Sequence, residues 1–286
     1  MIARIWGLVI LAAVLLAPAA SAESLRVSPE WLKDNLQLKN LLIIDTRLQS
    51  SYEIEHIPGA ISFPDELTYQ QRSDGGRIVE PDVMQSLLRE RGLTKDSLVV
   101  VYGDGKVIDA ARVFWALEVY GIKQIKVLDE ELPGWVKREF PLTDKVPSVV
   151  ASNYVAVVNH HRIASKFSTQ LATLNPKKIV IDARPLSAYR GESSTAKRFG
   201  HIPTAINIPV HSNIEGDSNG FVFRTDAELK ELYSELPMDA SVILYCEIGR
   251  ASATNYLALR QLGYNVANYD ASWREWANDF SLPIEK

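Results

Sequence analysis

The sequence predicts an α/β fold of two homologous domains, each with a mainly parallel sheet flanked by helices. Within each half of the chain, short apolar runs rich in β-branched residues alternate with stretches of helical periodicity. Continuous apolar runs are typical of strands buried on both faces of a parallel sheet, with helices connecting them. The same series of segments occurs twice along the chain, which indicates a duplicated domain.

Four apolar runs are expected to form central strands, at residues 41–45, 98–102, 179–182 and 242–245. One helix has an explicit start signal, because Thr225 and Glu228 have the spacing of a capping box. In that motif two side chains satisfy the first free backbone N–H groups of a helix. Ligands of such sheets bind at the carboxyl ends of the strands, so the residues that follow the apolar runs are the candidates for chemistry.

The repeat is visible in matched residues that occur in the same order in both halves. They are Asp45 with Asp182, Arg47 with Arg184, Tyr52 with Tyr189, His56 with His201, Asp129 with Asp270, and Trp135 with Trp276. We therefore expect two domains, at residues 24–145 and 150–286, with the boundary in the stretch 143–152, which contains proline and serine. Because the Asp–Arg pair recurs in both halves, we interpret it as a structural contact within each domain, and we interpret His56 and His201 as structural turn residues.

Composition excludes several classes of protein. The chain has 286 residues, of which 47% are hydrophobic and 23% are charged, and its mean hydropathy is -0.06. This balance is typical of a globular protein and excludes a disordered chain, a collagen-like repeat and a polytopic membrane protein. The formal net charge is -4, so the overall charge does not favour nucleic acid or an anionic membrane as a partner.

The first 22 residues have the pattern of a secretory signal peptide. Arg4 provides the positive charge, residues 5–16 the apolar stretch, and residues 20–22 the small-residue cleavage site. A membrane anchor is the alternative, but a spanning helix needs about 20 apolar residues and Pro18 interrupts this stretch. We expect a secreted, periplasmic protein that has no contact with the membrane after cleavage.

Cys246 is the only cysteine, so no disulfide can form within the chain. It follows the apolar run 242–245 and begins a loop, residues 246–252, that leads into a helical segment. Backbone N–H groups in such a loop and at the helix N-terminus favour an anion beside the sulfur, either a thiolate or a bound oxyanion. The alternative is a cysteine that acts as a small apolar core residue. Its position after a strand makes Cys246 the candidate nucleophile.

The sequence predicts neither a metal nor an organic cofactor. His160 and His161 are adjacent, so their side chains diverge, and no cysteine lies near them to complete a zinc site. No glycine-rich phosphate loop or dinucleotide fingerprint is present.

The repeat, the Asp-x-Arg and His-Ile-Pro-Gly-Ala-Ile patterns at residues 45–61, and the cysteine after Val-Ile-Leu-Tyr resemble the tandem-domain rhodaneses. These are thiosulfate or 3-mercaptopyruvate sulfurtransferases. The resemblance implies a doubly wound parallel sheet in each domain, a catalytic C-terminal domain and a non-catalytic N-terminal domain. Gly103 stands at the position that aligns with Cys246, so the first domain lacks the sulfur nucleophile.

The resemblance also implies a reaction in two steps. The Cys246 thiolate takes the outer sulfur of a donor such as thiosulfate, and the resulting persulfide passes it to cyanide, a thiol or a protein acceptor. The loop would hold the substrate, and Arg250 is the candidate for binding donor oxyanions. The implied substrate-binding residues are Glu247, Ile248, Gly249, Arg250, Ala251 and Ser252.

Two departures from the family pattern leave the donor open. Many thiosulfate enzymes have basic residues after the cysteine and many mercaptopyruvate enzymes have Gly-Ser, whereas this chain has Glu247 and Ile248. Related enzymes often have a substrate-binding arginine just before the aromatic residue at Tyr189, where this chain has Ala188. Arg190, on the other side of Tyr189, is the candidate substitute.

Two other functions compete with sulfur transfer. Cysteine phosphatases and arsenate reductases need an arginine six residues after the cysteine, but that position is Ser252, and Arg250 is only four residues along. A non-catalytic sulfur carrier or binding module with the same fold is the second alternative. Turnover of a sulfur donor that depends on Cys246 would separate an enzyme from such a module.

Overall fold

The computed structural model describes residues 24–72, 75–217 and 220–286. The segment expected to be a signal peptide, residues 1–22, lies outside this part of the chain. Within the described ranges, no helix combines the length and the apolar character that crossing a membrane requires.

The first half of the chain folds around one parallel sheet. Its elements are β1 (Arg26–Val27), α1 (Pro29–Asn35), β2 (Leu41–Asp45), α2 (Gln49–Ile54), β3 (Ala60–Ser62), α3 (Pro81–Glu90), β4 (Leu98–Tyr102), α4 (Ile108–Val119), β5 (Ile125–Leu128) and α5 (Glu131–Lys137). The strand order is β1-β5-β4-β2-β3, and every strand pair in it is parallel. The central position of β2 and β4 explains why their sequences are continuously apolar.

The second half repeats this arrangement. Its elements are β6 (Ile163–Ala164), α6 (Lys166–Ala172), β7 (Lys178–Asp182), α7 (Leu186–Tyr189), β8 (Ile206–Asn207), β9 (Ile214–Asp217), β10 (Gly220–Phe223), α8 (Asp226–Leu232), β11 (Ser241–Tyr245), α9 (Ser252–Gln261), β12 (Asn265–Tyr269) and α10 (Ser272–Asn278). The parallel sheet has the order β6-β12-β11-β7-β8, and β9 and β10 form a separate antiparallel hairpin. The two sheets confirm the predicted fold class.

The four predicted strands are the central strands β2, β4, β7 and β11. The valines of β4 at positions 99, 100 and 101 are fully buried, as the continuous apolar run predicts. The capping box is also present, since Thr225 Oγ1 accepts a hydrogen bond from the backbone N–H of Glu228 and the Glu228 carboxylate accepts one from that of Thr225. Helix α8 begins at the residue after Thr225.

The Asp and Arg residues that recur in both halves make the same contacts in both domains. Arg184 donates to both carboxylate oxygens of Asp182 through Nε and to Oδ2 through Nη2, and Arg47 contacts Asp45 in the same way. The Tyr245 hydroxyl donates to Asp182 at 2.7 Å. These contacts tie neighbouring strand ends together, which confirms that the repeated Asp–Arg pair is structural.

Helices α4 and α9 pack against each other and join the two domains. The buried side chain of Arg112 in α4 donates a 3.2 Å hydrogen bond to the carbonyl oxygen of Gly249 in the second domain. Its guanidinium also lies over the rings of Tyr69 and Trp115, at 4.3 and 4.4 Å from their centroids. The loop of residues 246–252 in the second domain, called the cysteine loop below, is therefore supported from the first domain.

Candidate functional site

Cys246 lies at the carboxyl end of β11, where the sequence predicts the site. Its side chain is buried and its thiol is free. The backbone N–H of Cys246 donates to Ser272 Oγ at 3.2 Å, and its carbonyl oxygen accepts a hydrogen bond from the N–H of Trp273 at 3.0 Å. Both backbone groups are thus held by the first turn of α10, which fixes where the sulfur points.

Ser252 places a hydroxyl next to the sulfur. Its Oγ lies 3.4 Å from Cys246 Sγ and 2.7 Å from Asn268 Oδ1. Asn268 is oriented by its own amide, because Nδ2 donates to the carbonyl oxygen of Gly249 at 2.9 Å. Since a hydroxyl has one proton to donate, Ser252 donates to either the sulfur or Asn268 at a given time. This group is suited to stabilise negative charge on sulfur.

Gly249 is required by the path of the loop. Its φ is +72°, and a Cβ at this position would lie 2.4 Å from the backbone oxygen of Asp270. Ile248, the preceding residue, contacts the first domain so closely that a Cβ on Gly76 would lie 2.0 Å from its carbonyl oxygen. The loop is therefore confined between β12 and the first domain.

Glu247 is hydrogen-bonded to two residues outside the cysteine loop, Thr195 and Arg274. Its carboxylate accepts a hydrogen bond from Thr195 Oγ1, and its carbonyl oxygen accepts one from the N–H of Arg274 at 3.1 Å. The side chain is half-buried. Ala251, at the other end of the loop, is the N-cap residue of α9.

Arg250 extends across the domain interface. Its Nε donates to Asp65 Oδ2 at 3.1 Å, and its Nη2 forms an ion pair with Asp109. Burial and the nearby Asp109 raise the pKa of Asp65 above its ordinary value, although Arg250 lowers it. The guanidinium also lines a cavity of about 340 Å³ together with first-domain residues that include Arg72 and Lys106. The geometry therefore shows Arg250 paired with two acids at the edge of a polar cavity.

Arg190 lies at the carboxyl end of helix α7. It is exposed and follows the last residue of α7, and its backbone N–H donates to the carbonyl oxygen of Leu186. In the part of the chain that the structure describes, no hydrogen bond or ion pair joins its side chain to residues 246–252. Its predicted contact with substrate stays a prediction.

Three residues of the site were missed by the sequence prediction. Asn268 and Ser272 bind the loop directly, and Arg112 reaches it from the other domain. Asn268 had a usable signal, because an amide in the middle of a buried strand needs a specific partner. Arg112 had none, since it reaches Gly249 across 137 positions of sequence.

No cluster of three or more histidine, cysteine or acidic residues within the described ranges is arranged to hold a metal ion.

Two segments of the chain, residues 28–138 and 164–279, match the sequence model of the rhodanese-like domain. The chain belongs to the rhodanese-like family. The first matched segment contains β2, β3, β4 and β5 of one parallel sheet, and the second contains β7, β8, β11 and β12 of the other. The duplication seen in the sequence is therefore a duplication of this domain.

Two named sequence relatives indicate which class of enzyme this chain belongs to. The chain is 30% identical over 275 residues to the thiosulfate sulfurtransferase of Corynebacterium glutamicum, covering 91% of this chain and 89% of the relative. It is 31% identical over 283 residues to a Haloferax volcanii protein whose name proposes the same activity, covering 93% and 97%. This rhodanese-like chain is a sulfurtransferase.

Solved structures agree with this fold. The 3-mercaptopyruvate sulfurtransferase SseA of Escherichia coli has a TM-score of 0.77 and 26% identity, covering 87% of this chain and 99% of SseA. The protein YnjE has a TM-score of 0.80 at 21% identity and covers 91% of this chain; it shows the fold alone.

Proposed function

We propose that this rhodanese-like protein moves a sulfane sulfur from a small donor such as thiosulfate to cyanide or a thiol through a persulfide on Cys246. The observation that carries the proposal is the position of this lone thiol at a buried strand end, 3.4 Å from the Ser252 hydroxyl. The sequence relatives named for thiosulfate support the choice of donor.

The proposed reaction consists of two displacements at sulfur. The Cys246 thiolate attacks the outer sulfur of thiosulfate, a new S–S bond forms, and sulfite leaves with the electron pair of the broken S–S bond. Cyanide or a thiolate then attacks the outer sulfur of the persulfide, and Cys246 leaves as a thiolate. No external oxidant or reductant is needed, because in each step one bond to the transferred sulfur forms as another breaks.

The loop supports both steps through fixed polar groups. Negative charge lies on the Cys246 sulfur before the first step and on the outer sulfur after it. Helix α9 has 10 residues and begins at Ser252, so its N-terminus contributes positive potential where this charge lies. The Ser252 hydroxyl adds a donor, and covalent catalysis then divides one difficult transfer into two easier ones.

The experiment is intact-mass spectrometry of the reduced protein after brief exposure to thiosulfate, with Cys246→Ser as the control. We expect a gain of about 32 Da, one sulfur atom, which reduction reverses and which the variant lacks. Adding cyanide should remove the extra mass and release thiocyanate. No gain with thiosulfate, mercaptopyruvate or polysulfide, from protein whose thiol is first shown to be reduced, would refute the persulfide and favour the sulfur-binding module.

We also propose that the protein is exported to the periplasm, on the signal-peptide pattern of residues 1–22. N-terminal sequencing of protein recovered from the periplasmic fraction should begin near Glu23. Recovery from the cytoplasm with Met1 or Ile2 at the N-terminus would refute export.

A further inference from the structure

The first domain contains a buried carboxyl group that the sulfur chemistry does not use. Glu131 is 1% exposed. Its Oε2 accepts hydrogen bonds from the backbone N–H groups of Gly105 at 2.7 Å and Val107 at 2.9 Å. Its Oε1 is buried and has no hydrogen-bond partner among the described residues. Such a group needs an explanation, because an unpaired buried polar atom is costly.

The residues around Glu131 correspond to those around Cys246. The Leu132 N–H donates to the carbonyl oxygen of Gly103, just as the Trp273 N–H donates to that of Cys246. Glu131 begins α5 with a φ of +47°, and Ser272 begins α10 with a φ of +53°. Glu131 therefore occupies the position of Ser272, and the first-domain loop, residues 103–107, occupies the position of the cysteine loop.

The carboxylate lies where a side chain at position 103 would be. A Cβ on Gly103 would lie 2.9 Å from Glu131 Oε1 and 3.1 Å from Thr46 Oγ1. In the second domain the corresponding residue carries the sulfur of Cys246. Glycine at position 103 thus leaves room for the Glu131 carboxylate, and two N–H groups of the loop bind it.

We propose that the first-domain loop is an anion-binding site of the same kind as the cysteine loop, and that the Glu131 carboxylate is its built-in occupant. Without this side chain the loop would bind a small carboxylate or oxyanion, such as formate. The proposal does not depend on Cys246, and its test measures no sulfur transfer.

The charges around the carboxyl group set the conditions of the test. The pKa of Glu131 is raised to about 7, chiefly by burial and to a smaller extent by Asp104 and Asp109, against the lowering effect of the two loop N–H groups. Lys106 is paired with Asp104, and Arg250 with Asp109. Measurements at about pH 8.5 keep the native carboxyl group ionised.

The experiment measures the Tm of Glu131→Ala, Glu131→Ser and Glu131→Gln variants in sodium formate and in sodium chloride of equal ionic strength. The alanine and serine variants leave a cavity beside the N–H groups, and we expect formate at about ten times its Kd to raise their Tm by roughly 3 °C. Glu131→Gln fills the same space, so it and the native protein serve as matched controls that formate does not stabilise.

Equal effects of formate and chloride on all four proteins would overturn the proposal, because the side chain would then only fill space. Stabilisation of all four by formate would also overturn it, by showing binding elsewhere. If the alanine and serine variants fold too poorly for melting, their refolding yield in formate against chloride gives the same comparison.

A second substitution, Gly103→Ala, tests the placement of the carboxylate. It should lower the Tm of the native protein, and it should lower the Tm of Glu131→Ser by at most half as much. Equal losses of Tm in the two backgrounds would contradict the placement.

Discussion

At the scale of single residues, the site depends on which buried polar groups have partners. Ser252 and Asn268 are fully buried and form a short series of hydrogen bonds from Cys246 to Gly249. Thr254, two residues further along α9, is equally buried, but its Oγ1 has no hydrogen-bond partner in the described part of the chain. Removing the Thr254 hydroxyl is therefore a matched control for removing the Ser252 hydroxyl.

We expect Ser252→Ala to slow sulfur transfer from thiosulfate about tenfold or more, because a hydrogen bond to a charged group contributes roughly 1.5–3 kcal/mol. Single-turnover kinetics of persulfide formation measure the effect. Thr254→Val removes a buried hydroxyl that has no hydrogen-bond partner among the described residues and should leave the rate unchanged. Equal slowing in both variants would indicate a general disturbance of α9 rather than a role for Ser252.

Glu131 predicts a pH dependence of stability. Burial raises its pKa from the ordinary value of 4.5 to about 7. Between these values the folded state holds a proton that the unfolded state has released, so the contribution of Glu131 to the free energy of unfolding falls as the pH rises from 4.5 to 7 and is constant above that. The free energy of unfolding of Glu131→Gln, minus that of the native protein, should therefore increase with pH across this window. Urea unfolding at several pH values measures it, and a constant difference would contradict the raised pKa.

At the scale of elements, the cysteine loop packs against the backbone of Asp270 only because glycine, with a positive φ, lies at position 249. Gly249 and Gly263 both have positive φ, at +72° and +88°, but only Gly249 is crowded, since nothing lies within 4 Å of a Cβ added at Gly263. A side chain at Gly263 meets only the backbone strain of a left-handed residue, about 1–2 kcal/mol. One at Gly249 must in addition displace the backbone of Asp270.

We accordingly expect Gly249→Ala to lower the free energy of unfolding by about 1 kcal/mol or more beyond Gly263→Ala, and to lower activity as the loop shifts. Gly263→Ala should destabilise the protein and retain the specific activity of the folded fraction. Urea unfolding and thiosulfate turnover measure the two effects. Similar losses in both variants would show that the contact with Asp270 relaxes freely.

At the scale of the whole molecule, residues of both domains build the surroundings of the site. Arg250 pairs with Asp65 and Asp109 of the first domain, and its side chain is 28% exposed at the polar cavity. Arg260 makes a comparable pair across the interface with Glu118, and its side chain is 21% exposed. Only Arg250 belongs to the cysteine loop.

We predict that Arg250→Ala raises the thiosulfate KM about tenfold, since the proposed charged contact to the donor would be lost. It should also lower stability, because the buried Asp65 loses the nearer of two arginine partners and keeps Arg72 at 3.7 Å. Arg260→Ala should lower stability without changing KM. Steady-state kinetics and thermal melting of both variants separate the two effects. An unchanged KM in Arg250→Ala would assign this arginine to the domain interface alone.

The duplicated α/β fold and the position of Cys246 after a central strand follow from the amino-acid sequence alone. These properties are local, because apolar runs, turn residues and repeated blocks can be read within a few residues of each other. The structure confirmed the central strands, the capping box and the structural role of the repeated Asp–Arg pair.

The groups that surround the cysteine loop are known only from the three-dimensional packing of the chain. Arg250 meets Asp65 across 185 positions, and Asn268 meets Ser252 because β12 lies beside β11. Glu131 enters the first-domain loop because α5 begins beside the end of β4. Such contacts arise from the packing of distant segments and from the docking of two domains. No local pattern specifies them, and they determine which charges are paired, buried or left for a substrate.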